Sequence, residues 1–306
     1  LKQAPRCWNI KFKNFLVSLG FSGSRHDYCL YTKLSTKNTD DLIIVMYVDD
    51  LLIAGNKLNS IEKLKQDLSK RFEMSDCGIL KFFLGMKIEL LNDEISITQN
   101  SSIEKLLNKF GMVECNPVKS PMEKGLQLNN NQNSTCDQQY RELLGSLMYL
   151  MLCSRPDICY SVGFMGRYQE NPSDTHWQHL KRIVRYIKGT SSNKLKFKTS
   201  NEPIIGYVDS DWASDIVDRK SVSGFIFKVF GCTVSWCSKK QQTVATSSSE
   251  AEYIALSLAT TEAIWLKGLL HDLNVLDENQ PVTIYEDNCG CIGMATNMES
   301  KRAKHK

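Results

Sequence analysis

The chain has 306 residues, 42% of them apolar and 24% charged, a composition that supports roughly two domains with their own cores and excludes a disordered chain. Its longest nearly unbroken apolar stretch, Leu143 to Leu152, is about half the length of a bilayer-spanning helix, so a soluble chain without a membrane partner is expected. The net charge of +4 hides an asymmetry: up to Ser200 there are 28 basic and 20 acidic residues, and after it 10 and 14, which fits either a nucleic-acid grip beside a carboxylate-rich site or an ordinary solvated surface.

Residue 1 is Leu, and no basic and apolar leader precedes the first pattern, which suggests a fragment or processed piece outside the secretory route. From Leu42 to Ile53, two apolar, β-branched runs flank Asp49 and Asp50, which predicts a hairpin of two buried strands with the acids at or near the turn. Helical spacing of Ile61, Leu64, Leu68 and Phe72 predicts a helix over 60–72 with Ser60 as N-cap. Strands follow at 80–90 and 94–98, then a helix near 103–110. Between Gly111 and Asp137, Pro117, Pro121 and the polar run Asn129 to Ser134 read as a linker. Buried helices are predicted at 140–153 and 158–168, separated by Pro156. A third helix, 174–188, has Trp177, Leu180, Val184 and Ile187 on one face and Lys181, Arg185 and Lys188 on another. The last hundred residues read as strands 204–209, 222–230 and 232–237, the last two turning near Gly231. A helix at 250–273, a strand at 282–285 and a helix from Asn288 complete a βββαβα order. Eleven cysteines without a C-x-x-C pair argue for reduced thiols in a cytoplasmic or nuclear compartment, and against a zinc module or a disulfide framework.

Two constellations could carry chemistry. Tyr47-Val48-Asp49-Asp50 is either a solvated turn or a pair of ligands for a divalent metal in phosphoryl transfer. In the C-terminal part, Asp209 and Asp287 close two apolar strands and the intervening helix opens with Glu250 and Glu252, the carboxylate supply of a two-metal nuclease. The plainer readings are turn acids for the aspartates and a capping box for Ser249-x-x-Glu252. Asp211, Asp215 and Asp218 read as loop acids, and Asn288 as a helix cap or a residue near the metal. The residues between Asp174 and Glu202 include seven Lys or Arg and no acid, a stripe that could follow phosphates or simply face solvent. His176 and His179 are too isolated for a metal.

Leu1-Lys2-Gln3-Ala4-Pro5-Arg6-Cys7-Trp8 resembles the template-strand and nucleotide-binding motif of copia-type reverse transcriptases, with Gln3 and Arg6 as nucleic-acid contacts, and Tyr47 to Asp50 resembles their catalytic hairpin. Leu80 to Ile88 looks like the primer grip. Leu144 to Tyr149 and Arg155-Pro156-Asp157-Ile158 are similar to the helical segment that follows the polymerase in these elements. Asp209-Ser210-Asp211-Trp212-Ala213 through Ser223-Gly224-Phe225 resembles their ribonuclease H, and Ala251-Glu252-Tyr253-Ile254-Ala255-Leu256 fits the family register, which selects Glu252 over Glu250.

The resemblance implies an α/β chain in three parts: a palm and thumb remnant at 1–112, a linker and helical connection at 113–200, and a ribonuclease H-like domain at 201–306. It implies Mg²⁺ or Mn²⁺ held by Asp49 and Asp50 and by Asp209, Glu252 and Asp287. An RNA–DNA hybrid or single-stranded nucleic acid is the expected partner, touched by Lys181, Arg185 and Lys188, with dNTP in the intact parent. The family draws a further polymerase carboxylate from upstream and a further nuclease acid from a closing strand after residue 306. The expectation is therefore a polymerase-inactive piece with weak or absent nuclease activity, and the rival reading is a nucleic-acid-binding remnant without catalysis.

Overall fold

A computed structural model describes residues 3–35, 40–128, 137–277 and 280–297. Leu1, Lys2, the run Asn129 to Ser134 and the closing Lys301 to Lys306 lie outside the described residues. The class is α/β as expected, with antiparallel and mixed sheets. The chain divides into two compact units, residues 1–80 with 261–281 and residues 81–260 with 282–306. Inside the second unit a long-range strand pairing joins segments about a hundred residues apart, with Leu195–Lys198 antiparallel to Glu94–Thr98 and Glu94 opposite Lys198.

The first unit opens with α1 (Ala4–Ser18), which the sequence reading missed. Phe12 and Leu16, one turn apart, are fully buried, and Gly20 at φ +86° ends the helix in the left-handed cap that favours glycine. An antiparallel sheet follows in the order β1 (Ser22–Gly23), β2 (Leu30–Lys33), β3 (Leu42–Tyr47), β4 (Asp50–Gly55). In β3 the residues Leu42, Ile44 and Met46 point into the core by strict alternation. Strand β4, expected to be buried, is half-exposed because it forms the sheet edge. Helix α2 (Leu58–Arg71) starts two residues before the predicted cap, and Ser60 lies inside its first turn with its hydroxyl donated to Asp40. The rings of Trp8, Phe12, Phe15 and Phe72 meet at 5.2–5.7 Å over Leu64 and Leu68 and close this core.

The second unit begins with the antiparallel sheet β5 (Phe82–Phe83), β6 (Met86–Leu91), β7 (Glu94–Thr98) and β8 (Leu195–Lys198). The single strand predicted over 80–90 is broken by a turn at Leu84-Gly85, both with positive φ; the Tyr149 hydroxyl donates to the Leu84 carbonyl and occupies the space that a Cβ on Gly85 would need. Helices α3 (Asn100–Lys109), α4 (Asp137–Cys153), α5 (Cys159–Met165) and α6 (Asp174–Gly189) enclose a core of Leu143, Leu147, Ile158, Leu180, Ile183 and Ile187. The helix predicted over 158–168 is shorter, because single 3₁₀ turns at Pro156–Ile158 and Gly166–Tyr168 flank α5. Ser173 caps α6 in a capping box whose partner is His176, which is buried by this role.

The βββαβα order follows as expected: β9 (Ile205–Ser210), β10 (Val222–Val229), β11 (Cys232–Lys240), α7 (Ser248–Asp272), β12 (Thr283–Tyr285), α8 (Cys289–Thr296). The sheet order is β11-β10-β9-β12, with β12 parallel to β9 and the other pairs antiparallel. The β10–β11 turn falls at Phe230-Gly231, both in the left-handed region.

Candidate metal centre

Strand pairing brings the first two acids together. Thr283 lies opposite Ile205 and Tyr285 opposite Tyr207. Parallel neighbours advance in step, so two residues further on Asp287 comes level with Asp209. The Tyr207 and Tyr285 rings stack at 5.2 Å and 21°, which fastens that register.

The third acid comes from near the start of α7, one turn into the helix. Gln241 Nε2 donates to Ser223 Oγ and to the Ala251 carbonyl, each at 2.9 Å, and so ties the helix start to β10. Ala251, Ala255 and Ala259 are buried at every fourth position, where small side chains let the helix pack closely. Of the two glutamates that open α7, Glu252 reaches the strand acids. The Glu250 carboxylate accepts from the Thr246 amide at 2.6 Å and from the Thr246 hydroxyl, and the Glu250 N–H donates to Ser247 Oγ at 3.1 Å. The serine serving the helix N-terminus is thus Ser247. Ser249, half of the capping box read in the sequence, donates instead to Asn288 Oδ1 at 2.9 Å.

Ligand oxygens of Asp209, Glu252 and Asp287 lie within 4.8 Å of one another. Asp209 and Asp287 are exposed, Glu252 is 7% exposed, and its Oε2 has no hydrogen-bond partner. A buried carboxylate oxygen without a donor is costly, and a cation supplies what is lacking. Three hard oxygen donors with two open to solvent fit Mg²⁺ or Mn²⁺, which keep several waters. Burial, then the nearby Glu286 and Asp209, push the Glu252 carboxyl up to about 7. Glu286, which the sequence reading passed over, is also pushed up, chiefly by burial. Its Oε1 accepts from the Asn288 N–H at 2.9 Å and its Oε2 has no partner. The signal for it was the doubled acid at the end of β12. Cys291 nearby is pushed up to about 12 by burial and by Glu286 and Glu252, so it stays a neutral thiol and a poor ligand.

The other candidates are dispersed. Asp49 and Asp50 sit exposed at the β3–β4 turn, where Val48 has φ 54° and its carbonyl accepts from Trp8 Nε1 at 2.8 Å. Among the described residues no further His, Cys, Asp or Glu completes a metal group with them. Gln3 and Arg6 are exposed at the start of α1. On α6, Lys181 lies over the Trp177 ring, whereas Arg185 Nε donates to the Asn116 carbonyl at 2.7 Å and Lys188 Nζ to the Cys115 carbonyl at 2.8 Å. With Arg182 paired to Glu123, this face fastens the linker. Asp211 accepts from the Val222 amide and Ser214, and Asp215 pairs with Arg167 and Lys240, so both are loop-building acids. Asn288 caps α8 through the Cys291 amide.

Residues 1–124 match the family model described as reverse transcriptase (RNA-dependent DNA polymerase). Over its whole length the chain is 40% identical to the retrovirus-related Pol polyprotein from transposon TNT 1-94 of Nicotiana tabacum and 35% identical to that from transposon RE1 of Arabidopsis thaliana, of which it spans 24% and 21%. It thus spans about a quarter or less of the curated Pol relatives it matches. Across 73% of its length it is 35% identical to an uncharacterized mitochondrial protein of Arabidopsis thaliana, covering 94% of that protein. Among the described residues no helix is long and apolar enough to cross a membrane.

Proposed function

The chain belongs to the copia-type Pol polyproteins of retrotransposons, and from that premise we propose that Asp209, Glu252 and Asp287 serve hydrolysis of the RNA strand in an RNA–DNA hybrid. One observation carries the reading: carboxylates from two parallel strands and a helix meet within 4.8 Å, and the buried one keeps a partnerless oxygen. Bound Mg²⁺ or Mn²⁺ would activate the attacking water and stabilise the leaving oxygen. The protein's part is positional. Asp209 and Asp287 face solvent, where a phosphodiester can approach, and Glu252 closes the centre from its buried side.

In the parent polyprotein the same family membership points to RNA-directed DNA synthesis, with Asp49 and Asp50 as metal ligands at a dNTP site and Gln3 and Arg6 on the template strand. Lys181, Arg185 and Lys188 are the candidates for the hybrid backbone, the latter two from positions where one donor already serves the linker. The test is cleavage of a labelled RNA strand in a hybrid, with Mg²⁺ or Mn²⁺, by the chain and by Asp209→Asn. Metal-dependent cutting lost in the variant supports the proposal. Cutting that survives Asp209→Asn, or a chain that binds no Mn²⁺ in titration, overturns it.

A further inference from the structure

Glu252 and Asp287 come from different elements, so something must set the gap between them. Three residues before Glu252, on the same turn of α7, Ser249 Oγ donates to Asn288 Oδ1 at 2.9 Å, and Asn288 directly follows Asp287. The same Oδ1 accepts from the Cys291 amide at 2.9 Å and caps α8, while the Asn288 N–H donates to Glu286 Oε1 at 2.9 Å. A single side-chain oxygen therefore joins the helix carrying one ligand, the segment carrying another and the helix that follows. Gly290 completes the fit. A Cβ there would lie 2.3 Å from Ser249 Oγ and 3.1 Å from both Ser249 Cβ and Asn288 Oδ1, so the serine occupies the space where a side chain would be.

We propose that Ser249, Asn288 and Gly290 form a clasp that fixes the spacing of Glu252 and Asp287 and so sets the cation affinity of the centre. Ser249 and Asn288 are positioning residues, and the inference rests on the metal-binding reading above. Metal–ligand distances tolerate only about 0.2 Å, so a slackened carboxylate pair loses affinity even when both ligands remain.

The test is Mn²⁺ titration of the whole chain, read from the electron paramagnetic resonance signal of the free ion, with thermal unfolding in EDTA alongside. Ser249→Ala weakens Mn²⁺ binding about 2- to 10-fold, the range of one lost hydrogen bond, with little change in the EDTA midpoint. Asn288→Ala weakens it at least as much, and the double variant is no weaker than Asn288→Ala, because the two act as a unit. Gly290→Ala, which must displace the Ser249 hydroxyl, reproduces the loss in a chain that keeps both polar partners. An unchanged Mn²⁺ affinity in Ser249→Ala and Asn288→Ala, or losses that simply add in the double variant, overturns the clasp. In that case Asp287→Asn still weakens binding and the metal centre stands; if Asp287→Asn also binds normally, the metal reading itself fails.

Discussion

At pH 8 in EDTA, Glu252→Gln makes the unit that carries the metal centre more stable. Burial, together with Glu286 and Asp209, pushes this carboxyl up to about 7 from an ordinary value of 4.5. The native state therefore holds the proton more tightly than the unfolded chain does. The resulting destabilisation is absent below about pH 4.5, grows as the pH rises and is complete above about pH 7. Across that gap it amounts to about 3 kcal/mol. Glutamine keeps the shape, removes the charge and offers a donor in a cluster where Glu286 Oε2 has none. For a unit of this size the midpoint in EDTA rises by about 6–12 °C. With Mn²⁺ at about a hundred times its dissociation constant the gap closes: the parent chain gains about 3 kcal/mol and the variant, lacking a ligand, gains nothing. Scanning fluorimetry in EDTA and in MnCl₂ reads both arms. A lower midpoint in EDTA, or a Mn²⁺ shift that survives the substitution, refutes the reasoning.

Gly206→Ala destabilises the second unit by about 1–3 kcal/mol, because the new Cβ would lie 2.5 Å from the ring of Phe227, which is fully buried and cannot retreat; urea unfolding checks it, and an unchanged midpoint counts against the packing argument. In the first unit, burial opposes ionisation of Asp272, but hydrogen bonds from Ser24 at 2.6 Å, His26 at 2.9 Å and the Arg25 amide at 3.0 Å outweigh it and hold the carboxyl down to about 2. A folded value below the unfolded 3.8 gives stability that is present above about pH 4 and lost as the pH falls towards 2. Asp272→Asn should then cost about 1 kcal/mol at pH 5, after solvent screening, and nothing near pH 2; chemical unfolding at the two pH values measures the difference.

What the sequence made legible follows from which properties are intrinsic to a residue and which depend on its neighbours. The β3–β4 hairpin and the βββαβα order could be read because β-branched runs and helical periodicity are local signals. Helix α1 escaped notice, although Trp8, Phe12, Phe15 and Leu16 keep helical spacing, because Lys11, Lys13 and Asn14 interrupt the apolar run. Strand β8 reads Leu-Lys-Phe-Lys, and its lysines looked like a phosphate stripe. In the fold Lys196 and Lys198 both pair with Glu94, about a hundred residues away in the chain. No local pattern announces a partner so distant.

The same distinction decides the metal centre. Carboxylates at strand ends advertise themselves, but spacing alone does not separate Glu250 from Glu252, since both stand near the start of α7. What separates them is that Thr246 saturates one oxygen of Glu250, whereas Oε2 of Glu252 has no partner. Gln241, Ser249 and Gly290 are less visible still, because each matters only through the atom it reaches on another element. A carboxylate can be replaced in function only by another ligand, whereas a clasp can be rebuilt from any pair that restores the distance. The residues hardest to read from sequence should therefore also be those whose loss a second-site substitution can repair.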